Sequence, residues 1–121
     1  MKKFSLLIIL SMLILIITTS CRSQVFNRNR TNNQLILEYS ILNRTESHSM
    51  ELKEQTIVNV IIENTSGRVD ILVADATGQE IYRGDNATSG KFSLKIPKTD
   101  TYRFSVTGKK AKGSVSFKVA D

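Results

Sequence analysis

A chain of 121 residues with 17 basic and 11 acidic side chains carries a formal +6 at pH 7; it has one cysteine, one histidine, one proline and no tryptophan. That length holds one domain and a short extension, and a lone cysteine leaves no internal disulfide to brace it. The excess falls to +4 once Lys2 and Lys3 are set aside, and most aromatics keep step with apolar strand positions instead of lining a basic face, which argues against nucleic acid as a partner.

Lys2 and Lys3 are followed by an apolar run over 4–17 and then by Thr18-Thr19-Ser20-Cys21. A basic n-region, an apolar h-region and small residues at the boundary make a secretory leader over 1–20, expected to be helical. The run is shorter than the roughly 20 apolar residues a spanning helix needs, so a lipid anchor is preferred to an uncleaved signal anchor. Thr19, Ser20 and Cys21 resemble the lipobox of bacterial lipoproteins. The resemblance implies cleavage before Cys21 and acylation of its thiol, whose thiolate is the nucleophile this chemistry needs. It also implies a lipid-anchored protein on the extracytoplasmic side of a cell membrane. Several acyl chains, at about 0.8 kcal/mol per buried methylene, make such an anchor stable.

Residues 22–33 are polar, with Val25-Phe26 their only apolar pair. With Cys21 they read as a flexible tether over 21–33, whose Arg22, Arg28 and Arg30 are placed to meet anionic headgroups or simply to keep a linker solvated.

From residue 34 to 121 the pattern turns to period two. Segments 35–42 and 47–52 come first. Val58, Val60 and Ile62 follow, then Val69, Ile71 and Val73. Phe92, Leu94 and Ile96 make the next, then Tyr102, Phe104 and Val106, and last Val115, Phe117 and Val119. Alternation of this kind marks strands with one buried and one wet face. Turn signals fall at Asn64-Thr65-Ser66-Gly67, Asp75-Ala76-Thr77-Gly78, Gly84-Asp85-Asn86 and 108–113, and Pro97 lies just past a strand end. About eight short strands with such punctuation predict an all-β fold, an antiparallel β-sandwich or jelly roll.

The order of Glu51-Leu52-Lys53, Ser66-Gly67, Asp75-Ala76-Thr77-Gly78, Ile81-Tyr82, the strand ending at Ile96-Pro97 and the strand from Tyr102 to Gly108 resembles the small β-sandwich modules of the pre-peptidase C-terminal type. The resemblance implies an accessory, binding or stabilising module that has no catalysis of its own.

Chemistry is sparse. His48 sits between Ser47 and Ser49, which point to the opposite face of a strand and cannot serve it; it reads as a structural histidine. No catalytic motif and no Cys/His ligand set is present, so no catalytic residue, metal site or cofactor is assigned. Asp75, Asp85 and Asn86 lie near turns in a spacing that matches no calcium loop. Lys109, Lys110 and Lys112 predict a basic tip on a final hairpin loop. Tyr82 is a candidate stacking ring if Ile81 takes the inward position. The expectation is a non-catalytic binding or structural module at the cell envelope, foremost for a protein partner. Next comes a carbohydrate or anionic cell-wall polymer met by Tyr82 or the lysines, and far behind, a hydrolase around His48.

Overall fold

The computed structural model describes residues 23–121; the leader and Cys21 lie outside the described residues. Seven antiparallel strands form: β1 Gln24–Thr31, β2 Gln34–Leu42, β3 Thr45–Leu52, β4 Ile57–Ala74, β5 Glu80–Gly84, β6 Gly90–Lys95 and β7 Asp100–Val119. Among the described residues no helix occurs. The all-β sandwich expected from the alternation is what forms, with seven strands in place of about eight.

The difference lies in β4 and β7. Each was expected as two strands around a turn, at 64–67 and at 108–113. Instead each runs on, and the two stay paired from Val58↔Val119 to Ala74↔Arg103, with register shifts between Asn64 and Arg68. The pair bends there, so one continuous sheet folds over on itself. Beyond the bend toward the chain ends, the first half of β4 and the second half of β7 pair with β6 and β2, and β2 pairs with β1. On the other side, the second half of β4 and the first half of β7 pair with β5 and β3. These are the two layers. Phe104 and Phe117, from opposite halves of β7, meet between them with ring centroids 5.0 Å apart.

The core holds the alternating residues the sequence marks: Leu35 and Leu37, Val58 and Val60, Val69 and Val73, Tyr102 and Phe104, Val115 and Phe117 are fully buried. Tyr102 anchors the start of β7, its hydroxyl donating to the Lys98 carbonyl at 2.6 Å. Tyr39 is also buried, but its hydroxyl finds no partner among the described residues. Burial pushes its pKa up to about 12. An unsatisfied buried hydroxyl is destabilising, so Tyr39→Phe is expected to stabilise the domain by about 1 kcal/mol. Thermal unfolding should show a Tm higher by about 5 °C; a lower Tm would mean that the hydroxyl is satisfied.

The stretch 24–31 departs most from expectation. Read as tether, it forms β1 and pairs with β2 along its length. Arg28 lies opposite Leu37 and Arg30 opposite Leu35, so both arginines take the core-facing side of the strand. Polarity hid the strand because two of its inward residues are charged, while Val25, opposite Tyr39, packs against the core.

Candidate functional site

A folded-over sheet has two open sides, and this chain closes them by different means. On one side the edges of β1 and β3 meet through charge. Glu46 lies opposite Val106, and its side chain is buried, the residue only 6% exposed. Its Oε1 accepts from Arg28 Nη2 at 2.8 Å and from Arg44 Nε at 2.9 Å; its Oε2 accepts from Arg30 Nη2 at 2.6 Å. Burial alone would raise the Glu46 pKa, but the hydrogen bonds from Arg28 and Arg44 prevail and hold the carboxyl below its ordinary range. Two residues along β3, His48 Nε2 lies 2.6 Å from the Thr31 carbonyl oxygen, tying the end of β1 to the same seam.

Those contacts to β3 are made by side chains and leave the backbone edge of β1 without a strand partner: among the described residues β1 pairs with β2 alone. A register shift between Val25 and Asn27 leaves Phe26 as an extra residue that is 70% exposed. A long edge strand with open backbone groups is a template for another chain.

On the other side of the sandwich, β5 and β6 are bridged by aromatic rings. Tyr82 lies opposite the buried Val73, and Phe92 opposite the buried Val60, so both face the core side. Their centroids are 5.0 Å apart with planes tilted by 41°. The expectation that Ile81 turns inward and leaves Tyr82 outward holds only in part: the register shift between Val73 and Ala74 disturbs the simple alternation, and both side chains pack half-buried against the core. Gly84 makes room for Tyr82: a Cβ there would come within 2.9 Å of the Tyr82 hydroxyl. Above the two rings lies a slot of about 340 Å³, rimmed by Asp85, Asn86, Thr88, Ser89 and Lys91.

The fold is one seen before. The periplasmic inhibitor of g-type lysozyme from Aeromonas hydrophila superimposes with a TM-score of 0.52 at 18% identity, over 73% of this chain and 87% of that one. The pre-peptidase C-terminal domain of a Bacillus anthracis collagenase gives a TM-score of 0.47 at 13% identity, over 78% and 93%. At these identities the likeness is one of fold. No protein-family model matches the sequence, and no curated protein matches it either.

The remaining predicted site residues fall elsewhere. Lys109, Lys110 and Lys112 are exposed but do not form a hairpin tip; they sit within β7 at its bend, beside Arg68 and Ser66 of β4. The turn reading fails because β7 continues through the glycines to pair with β2. Lys110 adopts φ +49°, and its backbone N–H donates to Asn43 Oδ1 at 2.6 Å. Asp75 is buried at the opposite end. Its Oδ1 accepts from the Thr77 hydroxyl at 2.7 Å and from the Thr77 and Gln79 N–H groups, with Lys98 Nζ 3.3 Å from Oδ2. The Thr77 hydroxyl first, then the Gln79 N–H and Lys98, lower its pKa to about 2. Its oxygens are engaged in shaping a turn. Among the described residues no three His, Cys, Asp or Glu side chains gather as a metal site.

The sequence could not show the Arg28–Arg30–Arg44–Glu46 cluster, since its members are separated by up to 18 residues. Arg28 and Arg30 at alternate positions of an otherwise polar segment are the signal, and a tether meeting headgroups or kept solvated is the expectation they give in isolation.

Proposed function

We propose that this chain is an exported, membrane-anchored binding module without catalysis of its own, which holds an envelope protein by strand addition at β1. The leader and Cys21 support the anchoring. The partner reading rests on one observation: β1 is eight residues long, lies at the edge of the sheet and carries an exposed Phe26. Backbone pairing along such an edge supplies affinity, and an exposed ring beside it supplies an anchor for specificity. The likeness in fold to a protein inhibitor of lysozyme is compatible with this reading.

A glycan is the second reading, favoured by the slot over Tyr82 and Phe92. An apolar floor rimmed by hydroxyl, amide and charged groups suits a saccharide unit. The two are separated by crosslinked capture from envelope extract beside a titration with cell-wall saccharides. Protein capture is expected, with Phe26→Ala weakening it about tenfold or more, as loss of an interfacial anchor does, and Tyr82→Ala leaving it unchanged. Saccharide binding that Tyr82→Ala abolishes, without any protein capture sensitive to Phe26, would replace the first reading by the second.

A further inference from the structure

We infer that the folded corner of the sandwich, where β4 and β7 bend, is a docking face for an anionic lipid surface. The inference rests on the proposed membrane attachment and adds an orientation to it. It starts from where the described chain begins. Ser23 Oγ accepts from the Asn43 N–H at 2.8 Å, and Ser40 Oγ lies 3.0 Å from Gln24 Oε1. Asn43 Oδ1 in turn accepts from the Lys110 N–H, and the Gly108 N–H donates to the Arg44 carbonyl at 3.0 Å. A short hydrogen-bonded path therefore joins the entry of the chain to the bend of β7. Ser23 is two residues from Cys21, which covalent geometry limits to about 7 Å between their Cα atoms. Attachment through an acylated Cys21 or through the apolar leader brings this corner to the bilayer surface in either case.

The charge at that corner is the right sign. Lys109, Lys110 and Lys112 are all exposed there, and among the described residues no carboxylate closes to ion-pair distance on them, although Lys109 is near enough to help hold the Asp70 pKa down. Arg44 and Arg68 flank them, about half exposed, the first on Glu46 and the second on Asp70 at 2.9 Å. Of the nearby carboxylates, Glu46 is outnumbered by its arginines and Asp70 is held by Arg68 and by the Asn86 N–H; Glu63 is the exposed one. The opposite end carries 53–56, 75–79 and 96–99, far from the entry point. Basic residues beside a membrane anchor each strengthen attraction to anionic lipid about fivefold, so three lysines together contribute roughly a hundredfold.

The test uses the full chain, isolated from the membrane fraction and reconstituted into vesicles of phosphatidylcholine alone or mixed with phosphatidylglycerol. Lysines are acetylated briefly and the rate at each is read by mass spectrometry. Lys109, Lys110 and Lys112 should react at least about fivefold more slowly on anionic than on neutral vesicles. The protection should vanish at about 0.5 M salt, while Lys53, Lys95 and Lys118 at the far end react alike throughout. In a Lys109→Glu/Lys112→Glu variant, Lys110 should lose its protection while the circular dichroism stays that of the parent. Equal rates on the two vesicles would overturn the inference, as would protection by a soluble polyanion without vesicles, which would assign the lysines to a polymer. A chain that does not fractionate with membranes would defeat the attachment itself; a membrane-bound chain with unprotected lysines would defeat the docking alone.

Discussion

Gly113→Ala is expected to abolish the cooperative fold or to destabilise it by more than about 4 kcal/mol, beyond the range of most single substitutions. The reason is geometric. Gly113 adopts φ +139°, and a Cβ on it would fall onto the carbonyl oxygen of Glu63 in the facing strand. That neighbour is backbone and has no rotamer by which to move aside. The strands cannot separate without opening the β4–β7 pairing through which both layers are joined. Gly78 provides the control. It too has a positive φ, +88°, but a Cβ there meets nothing, so Gly78→Ala should lose only the local strain of about 1–2 kcal/mol. Urea denaturation of the two variants measures the difference. Equal losses would show that the close approach at the bend does not constrain the fold.

That bend also marks the limit of what the sequence discloses. Alternation placed Val58, Val60, Val69, Ile71, Val73, Phe104 and Phe117 in the core, and all are buried. Asn64 to Gly67 and the 108–113 segment carry the residues of a turn, yet they serve a bend inside two long strands. Locally the demands are the same, a positive φ and a close approach of backbones. Whether the chain reverses or runs on is decided by pairing between residues some fifty positions apart, which a local pattern does not carry. That Ile81 and Tyr82 both reach the core was hidden for a related reason: a register shift interrupts the strict alternation of β5. β1 was missed because a strand signal assumes apolar inward residues, and two of its inward residues are arginines whose partner is a glutamate on another strand. Lys109, Lys110 and Lys112 lie together in the sequence, but their place within β7 and beside the chain entry is set by long-range pairing.

The charged seam makes the second large prediction. Glu46→Gln leaves Arg28, Arg30 and Arg44 around a neutral amide, three cations with no carboxylate to hold them together. Removing one partner of a buried ion cluster is far more damaging than replacing the whole cluster by apolar groups, because the remaining charges stay uncompensated. The three arginine side chains are between 35% and 49% exposed, so water offsets part of the penalty. The loss is expected near the lower end of the range for such changes, about 3 kcal/mol. Arg28→Ala alone should destabilise by only about 1 kcal/mol, since two cations still neutralise Glu46 and the lost side chain is partly solvated. The pH dependence follows from the depressed pKa of Glu46. Its folded value lies below the ordinary 4.5, so the ionised form is favoured by folding. The stabilisation is complete above the unfolded pKa and fades as the pH falls through the folded one. The stability gap between the parent and Glu46→Gln should therefore be full at pH 7 and shrink progressively below about pH 4.5. Urea midpoints across that window measure it. A gap that persists undiminished at pH 2–3 would mean that Glu46 acts through its shape instead of its charge. An opening of β1 that leaves the rest of the core folded would show in hydrogen exchange as lost protection confined to 24–31. The Val25 and Phe26 end, where the partner strand is proposed to add, would then lose its template together with the seam, and Glu46→Gln should weaken protein capture as well as stability.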